Sequence, residues 1–179
     1  MNVAAFALAL GTVLQPSVAV RDVTGVERHP LETAPGMPAA LFFVTNDCPI
    51  SNYYAHEIRR ICEDYAARGL ACSLVYSDPA LADGQARAHA VQFGHGSYPW
   101  IVDRQHVLVK ATGVTVTPEV AVINSGAIVY RGRIDNFFVT WGQSRRQVKQ
   151  HDLREALDSI FAGKPVSEPE TKAIGCWIP

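Results

Sequence analysis

The chain has 179 residues, 48% of them hydrophobic, and its 16 Lys and Arg against 17 Asp and Glu leave a formal net charge of -1. That length and apolar content suit one α/β-sized domain with a real core, and the balanced charge offers no basic field for nucleic acid. Four cysteines, Cys48, Cys62, Cys72 and Cys176, are too few and too widely spaced for a small disulfide-stapled scaffold, and no Cys-x-x-Cys or His-x-x-x-His pair signals zinc.

Residues 1–14 read as an apolar N-terminal extension or partial signal segment. The run has signal-peptide length, with Ser17-Val18-Ala19 as a conceivable cleavage site, but no Lys or Arg precedes it. It is also short for a membrane span. Export therefore stays open, with a periplasmic or extracytoplasmic location placed ahead of a cytoplasmic one. Cleavage after Ala19 would sit against VAVRDVTGVERHPL, where apolar alternation on both sides of Thr24-Gly25 predicts an opening hairpin.

The stretch PAALFFVT then reads as a central strand buried on both faces. It runs into Cys48. From about Ser51 to Arg68, Tyr54, Ile58, Ile61 and Tyr65 form one stripe of an amphipathic helix, with Ala55 and Cys62 beside them and Gly69 as the stop. LACSLVYSD is the next strand, DGQARAHAVQFG a second helix, YPWIVD another strand and QHVLVKATG a short helical or irregular link. Strands and helices alternating at these spacings predict parallel βαβ units. EVAVINSGAIVYRG predicts a hairpin about Ser125-Gly126, and HDLREALDSIFAG a last amphipathic helix, with Asp152 at its start and Gly163 at its stop. The domain thus spans residues 15–163. Residues 164–179 carry three prolines and no helical or strand period, so they predict an extended tail bearing Cys176.

Cys48 therefore stands at a strand-to-helix junction. Unpaired backbone N–H groups and the positive end of the helix dipole favour the thiolate there, so it is expected to be the most reactive thiol, with a pKa below the free value of about 8.5. Pro49 occupies a first-turn position where its missing N–H costs nothing, and Ser51 can offer a hydroxyl to the sulfur. Asp47 opposes ionisation, although capping the helix is its plainer role.

The segment DCPISN after an apolar strand resembles the redoxin group of the thioredoxin superfamily, in the broad alkyl hydroperoxide reductase and thiol-specific antioxidant family. The likeness continues through TPEVAVINSGAIVYRGRIDN and the C-terminal HDL, AL, GKP, ET and GC positions, from about Ser17 to the end. It implies an α/β thioredoxin-like fold with an N-terminal hairpin and a mixed central sheet flanked by helices. It also implies that Cys48 is the redox nucleophile and that Pro118 carries a cis peptide facing it. Thr117 would then have its backbone free to pair with an extended substrate.

The departures from the family pattern matter equally. Ser51 stands where a dithiol of the thioredoxin type has its second cysteine. A peroxiredoxin pattern needs Pro-x-x-x-Thr-x-x-Cys and an arginine; Thr45 is in place, but Leu41 replaces the proline. Arg131 and Arg133 could supply the guanidinium that polarises a peroxide, although solvated hairpin charges are the plainer reading. Cys62 on a helix stripe and Cys72 inside a strand read as core thiols. By elimination, Cys176 is the expected resolving partner of Cys48, within one chain or between two.

The histidines, His29, His56, His89, His95, His106 and His151, form no ligand-spaced pair, so neither metal nor cofactor is expected. The activity expected is thiol-disulfide exchange with a thiol or disulfide protein partner. The alternatives are a thiol peroxidase acting on a small peroxide, and a redoxin scaffold that binds a metal or a partner without turnover. A homodimer is left open.

Overall fold

Ala39–Val44 has no polar side chain, and all six of its residues are buried. Only a strand covered on both faces can accommodate that. The computed structural model, which describes residues 18–96 and 98–179, places this strand in the middle of a five-stranded sheet. The N-terminal extension and Ser17 of the conceivable cleavage site lie outside the described residues.

In chain order the elements are β1 (Val20–Arg21), β2 (Glu27–Arg28), β3 (Ala39–Val44), α1 (Pro49–Ala66), β4 (Ala71–Tyr76), α2 (Asp83–Gln92), β5 (Trp100–Val102), α3 (Val107–Thr112), β6 (Val116–Thr117), β7 (Glu119–Asn124), β8 (Ala127–Gly132), β9 (Phe138–Thr140), β10 (Gln143–Ser144), α4 (Asp152–Phe161) and β11 (Cys176–Trp177). The sheet order is β5-β4-β3-β7-β8. β3, β4 and β5 are parallel and joined through α1 and α2. β7 is antiparallel to β3, and β8 returns through a turn in which both Ser125 (φ 52) and Gly126 (φ 73) are left-handed. That pair of positive φ values suits the twist of a tight hairpin. The mixed α/β architecture with an N-terminal hairpin is the one the sequence predicts.

Side-chain alternation divides the core. Ala40, Phe42 and Val44 face Ile58, Ile61, Leu153 and Leu157 of α1 and α4, while Ala39, Leu41 and Phe43 pack with Leu31, Leu108 and Val114 on the other side. A helix stripe at three- and four-residue spacing lets α1 bury Tyr54, Ile58, Ile61 and Tyr65 together. The helix ends before Gly69, whose φ of 97 turns the chain back into β4.

Three features depart from the sequence reading. Residues 164–179, expected as an extended tail without strand structure, are hydrogen-bonded along the domain. Arg131 N–H donates to Pro169 O at 2.8 Å, Thr171 N–H donates to Arg131 O at 3.0 Å, and β11 pairs antiparallel with β6. Backbone hydrogen bonds need no side-chain period, so the tail's sequence carries no sign of them. Between β8 and α4, where no element is expected, β9 and β10 form a short hairpin braced by Asn136, whose Oδ1 accepts from Lys149 N–H at 2.9 Å and Gln150 N–H at 3.2 Å. Cys62 and Cys72, expected as separate core thiols, form a disulfide with Cα atoms 6.0 Å apart. The reversal at Gly69 brings the last turns of α1 beside the start of β4.

Candidate active site

Thr45, Asn46 and Asp47 carry the chain from the end of β3 to the start of α1, with Cys48 N–H donating to Thr45 O at 3.4 Å. Cys48 is the N-cap residue of α1 in extended geometry (φ -78, ψ 114), and Pro49 follows at the first helical position. Pro needs no N–H donor there, while the first-turn amides behind it have no intrahelical acceptor. Asp47 is exposed and is not the cap, contrary to expectation, because the chain turns into the helix one residue later. The Ser51 hydroxyl is buried and unpartnered; it makes no bond to the sulfur here.

The opposite wall is the turn between β6 and β7. Thr117-Pro118 is a cis peptide. Thr117 is fully buried, its Oγ1 lies 3.1 Å from Thr45 Oγ1, and its carbonyl oxygen lies 3.2 Å from Cys48 Sγ. Cys48 is joined to Cys176 with Cα atoms 6.1 Å apart, a separation suited to a disulfide. Cys176 reaches it from β11, where Cys176 pairs with Thr117 and Trp177 with Val116. Cys48 is 1% exposed in this closed arrangement. The structure thus brings Cys48, Thr45, Thr117, Pro118 and Cys176 together, with Pro49 and Ser51 in the adjoining helical turn.

No family model matches the chain, and no curated protein matches it. Among solved structures, an uncharacterised conserved protein from Geobacillus kaustophilus aligns with a TM-score of 0.77 at 24% identity, over 94% of this chain and 90% of that one. A thioredoxin-like protein from Aeropyrum pernix aligns at 0.54 and 17% identity, over 65% of this chain and 80% of that one. A secreted Mycobacterium tuberculosis disulfide oxidoreductase, homologous to the E. coli protein DsbE, aligns at 0.52 and 15% identity, over 62% and 78%. The chain has the thioredoxin-like fold.

Within that thioredoxin-like fold the two arginines considered for peroxide chemistry are ties. Arg131 pairs with Glu170 and donates to Gly113 O at 3.1 Å, which fastens the tail. Arg133 grips both Asp152 oxygens at 2.9 Å, anchoring the start of α4. Among the described residues, no group of three or more His, Cys, Asp and Glu could hold a metal ion. No helix there is long and apolar enough to cross a membrane.

Sequence reasoning missed the support behind the nucleophile's turn. His89 of α2 reaches Asn52 Oδ1 through Nε2 at 2.8 Å and Tyr76 OH through Nδ1 at 2.9 Å, while Asn52 Nδ2 donates to Asn46 O at 3.1 Å. A neutral His89 with its proton on Nε2 donates to Asn52 and leaves Nδ1 as an acceptor, so the single Tyr76 hydroxyl proton is shared between Nδ1 and Ala86 O at 3.0 Å. Burial lowers the His89 pKa, which favours that neutral form. The residues come from three elements, so no local spacing could have announced them.

Next to it, His95 accepts or donates through Nδ1 to Tyr98 OH at 2.9 Å, and burial, aided by repulsion from His89 and Arg59, pushes its pKa down to about 4. The unfolded chain protonates this group near 6.5, whereas the folded chain keeps it neutral. Stability is therefore lost as pH falls from 6.5 to 4, by on the order of 3 kcal/mol from this group. Urea unfolding at pH 7 and pH 4.5 is expected to show a smaller loss in His95→Gln than in wild type. Equal losses would contradict the assignment.

Proposed function

We propose that the protein is a thiol-disulfide oxidoreductase in which Cys48 is the nucleophile and Cys176 resolves the intermediate. The seat of Cys48 carries this reading: it caps α1, lies beside cis Thr117-Pro118 and is bonded to a cysteine from a separate strand. In the reduced protein the Cys48 thiolate attacks a substrate disulfide, forms a mixed disulfide and releases one substrate thiolate. Cys176 then attacks Cys48 Sγ, releases the second substrate thiolate and closes the Cys48–Cys176 bridge, so that two electrons pass to the substrate. An external dithiol returns the bridge to two thiols. The helix N-terminus supports the thiolate, and the unpartnered Ser51 hydroxyl in the same turn can donate to it. The Thr117 carbonyl oxygen at 3.2 Å opposes them and favours the neutral thiol.

A protein disulfide fits better than a peroxide, because Arg131 and Arg133 are committed to carboxylates. Tyr53, five residues beyond the nucleophile, is 52% exposed and stacked on Phe137 at 4.8 Å, a surface suited to protein contact. Two disulfides among the described residues suit an oxidising compartment, and the Mycobacterium tuberculosis neighbour is a secreted protein; both support a location outside the cytoplasm.

The test compares reduction of a cystine-bridged peptide driven by dithiothreitol with consumption of hydrogen peroxide. Acceleration of the first by at least about tenfold, with none of the second, is expected. Peroxide turnover without disulfide turnover would make the protein a thiol peroxidase. Neither reaction would leave a scaffold that binds a partner or a metal.

A further inference from the structure

The tail strand pairs with β6 and brings Cys176 to Cys48, so its side chains describe what the seat beside the nucleophile accepts. In the antiparallel register Cys176 faces Thr117 and Trp177 faces Val116, with Ile178 N–H donating to Thr115 O at 3.2 Å. A Cβ placed on Gly175 would collide with the Thr117 carbonyl and crowd the Pro118 nitrogen. These are backbone atoms of a buried turn, which cannot move aside as a flexible side chain could. Gly175 has no positive φ to explain it, so lack of room alone calls for glycine. On the other side of the cysteine the constraint disappears, since Trp177 is 81% exposed. Two residues away in each direction the strand is apolar and packed: Ile174 rests on the core beneath α1 and α4, and Ile178 on the opposite half-core.

We propose that Gly175-Cys176-Trp177 is a tethered copy of the substrate, and that the site selects extended peptides whose cysteine is preceded by glycine. The residue after the cysteine is unrestricted, and aliphatic residues are favoured two positions to either side. This rests on the reading of Cys48 as nucleophile. A substrate in the same register meets the same wall at Thr117 and Pro118, and it must displace a tail held at high effective concentration by its tether. A peptide with a side chain at the position of Gly175 cannot seat in that register.

The experiment uses reduced full-length protein and synthetic peptides Ile-Gly-Cys-Trp-Ile, Ile-Val-Cys-Trp-Ile and Ile-Gly-Cys-Ser-Ile, each disulfide-linked to thionitrobenzoate. Cys48 attacks the peptide sulfur and the coloured thionitrobenzoate leaves; Cys176 then releases the peptide thiol. The Gly-Cys peptides are expected to react at least about tenfold faster than the Val-Cys peptide, and the Trp and Ser peptides within about threefold of each other. Equal rates for glycine and valine would overturn the preference while leaving the nucleophile intact. No reaction with any peptide, or with the small aromatic disulfide alone, would overturn both readings. The protein itself provides a second arm. Gly175→Ala is expected to slow release of the Cys48-bound peptide at least about tenfold, because its own tail no longer seats, so that the mixed disulfide accumulates in mass spectra. Release at the wild-type rate would overturn the idea that tail and substrate share one seat.

Discussion

Cys48→Ser is expected to reduce disulfide turnover by about a thousandfold or more, to the uncatalysed background, while leaving the Cys62–Cys72 bridge and the fold in place. An oxygen cannot form the mixed disulfide, and a serine hydroxyl is not ionised near neutral pH even at a helix N-terminus. The loss should therefore far exceed that of any neighbouring substitution: changing Ser51 or Thr45 alters how well the sulfur is ionised or positioned, not whether it is present. Single-turnover release of thionitrobenzoate from reduced protein measures this directly. The informative contrary result is a Cys48→Ser rate within about tenfold of wild type. Cys176, less buried than Cys48 in the closed state, would then be the attacking thiol and the roles of the two cysteines would reverse.

Oxidised protein is expected to be more stable than Cys176→Ser by about 5 kcal/mol, because the Cys48–Cys176 bridge closes a loop of 128 residues. The Cys62–Cys72 bridge closes only 10 residues, so Cys62→Ser should cost about 3 kcal/mol. Guanidinium unfolding of the oxidised proteins, with the variants beside wild type, checks both values. The order is the sharper test: chain entropy ranks the long loop above the short one, and a larger loss from Cys62→Ser would show that the tail adds little to the folded state. Linkage carries the effect in reverse. Whatever free energy the bridge adds to the fold, the fold adds to the bridge, so unfolding should make Cys48–Cys176 easier to reduce.

Much of this was legible because the sequence has strong local signals where the fold has local causes. Ala39–Val44 reads as a strand covered twice, Ser125-Gly126 as a tight turn between two alternating runs, and the α1 stripe ends at a glycine. The placement of Cys48 at a strand-to-helix junction followed from those neighbours, although Asp47 was the residue expected to cap the helix. The Cys62–Cys72 pair was missed because each cysteine fits its own element as a small hydrophobe. A usable signal existed: Cys62 is seven residues before Gly69 on a helix and Cys72 three residues after it on a strand. At about 1.5 and 3.3 Å per residue, both lie about 10 Å from the same reversal. No comparable arithmetic finds the pairing of β11 with β6, which joins segments far apart in the chain through backbone atoms alone, or the Asn136 brace, where one side chain replaces a periodic pattern.

The crossing of β8 by residues 169–171 has a consequence for how these molecules behave toward one another. β8 is the last strand of the sheet, and the outer row of amides and carbonyls on such a strand invites a strand from another molecule. Here Pro169 O and Thr171 N–H occupy the Arg131 positions on that row, and the Thr171 hydroxyl accepts from Arg133 N–H at 3.1 Å just beyond. Proteolytic trimming before Pro169 would remove more than a thiol: it would bare a sticky margin and turn a guarded sheet edge into a seed for aggregation.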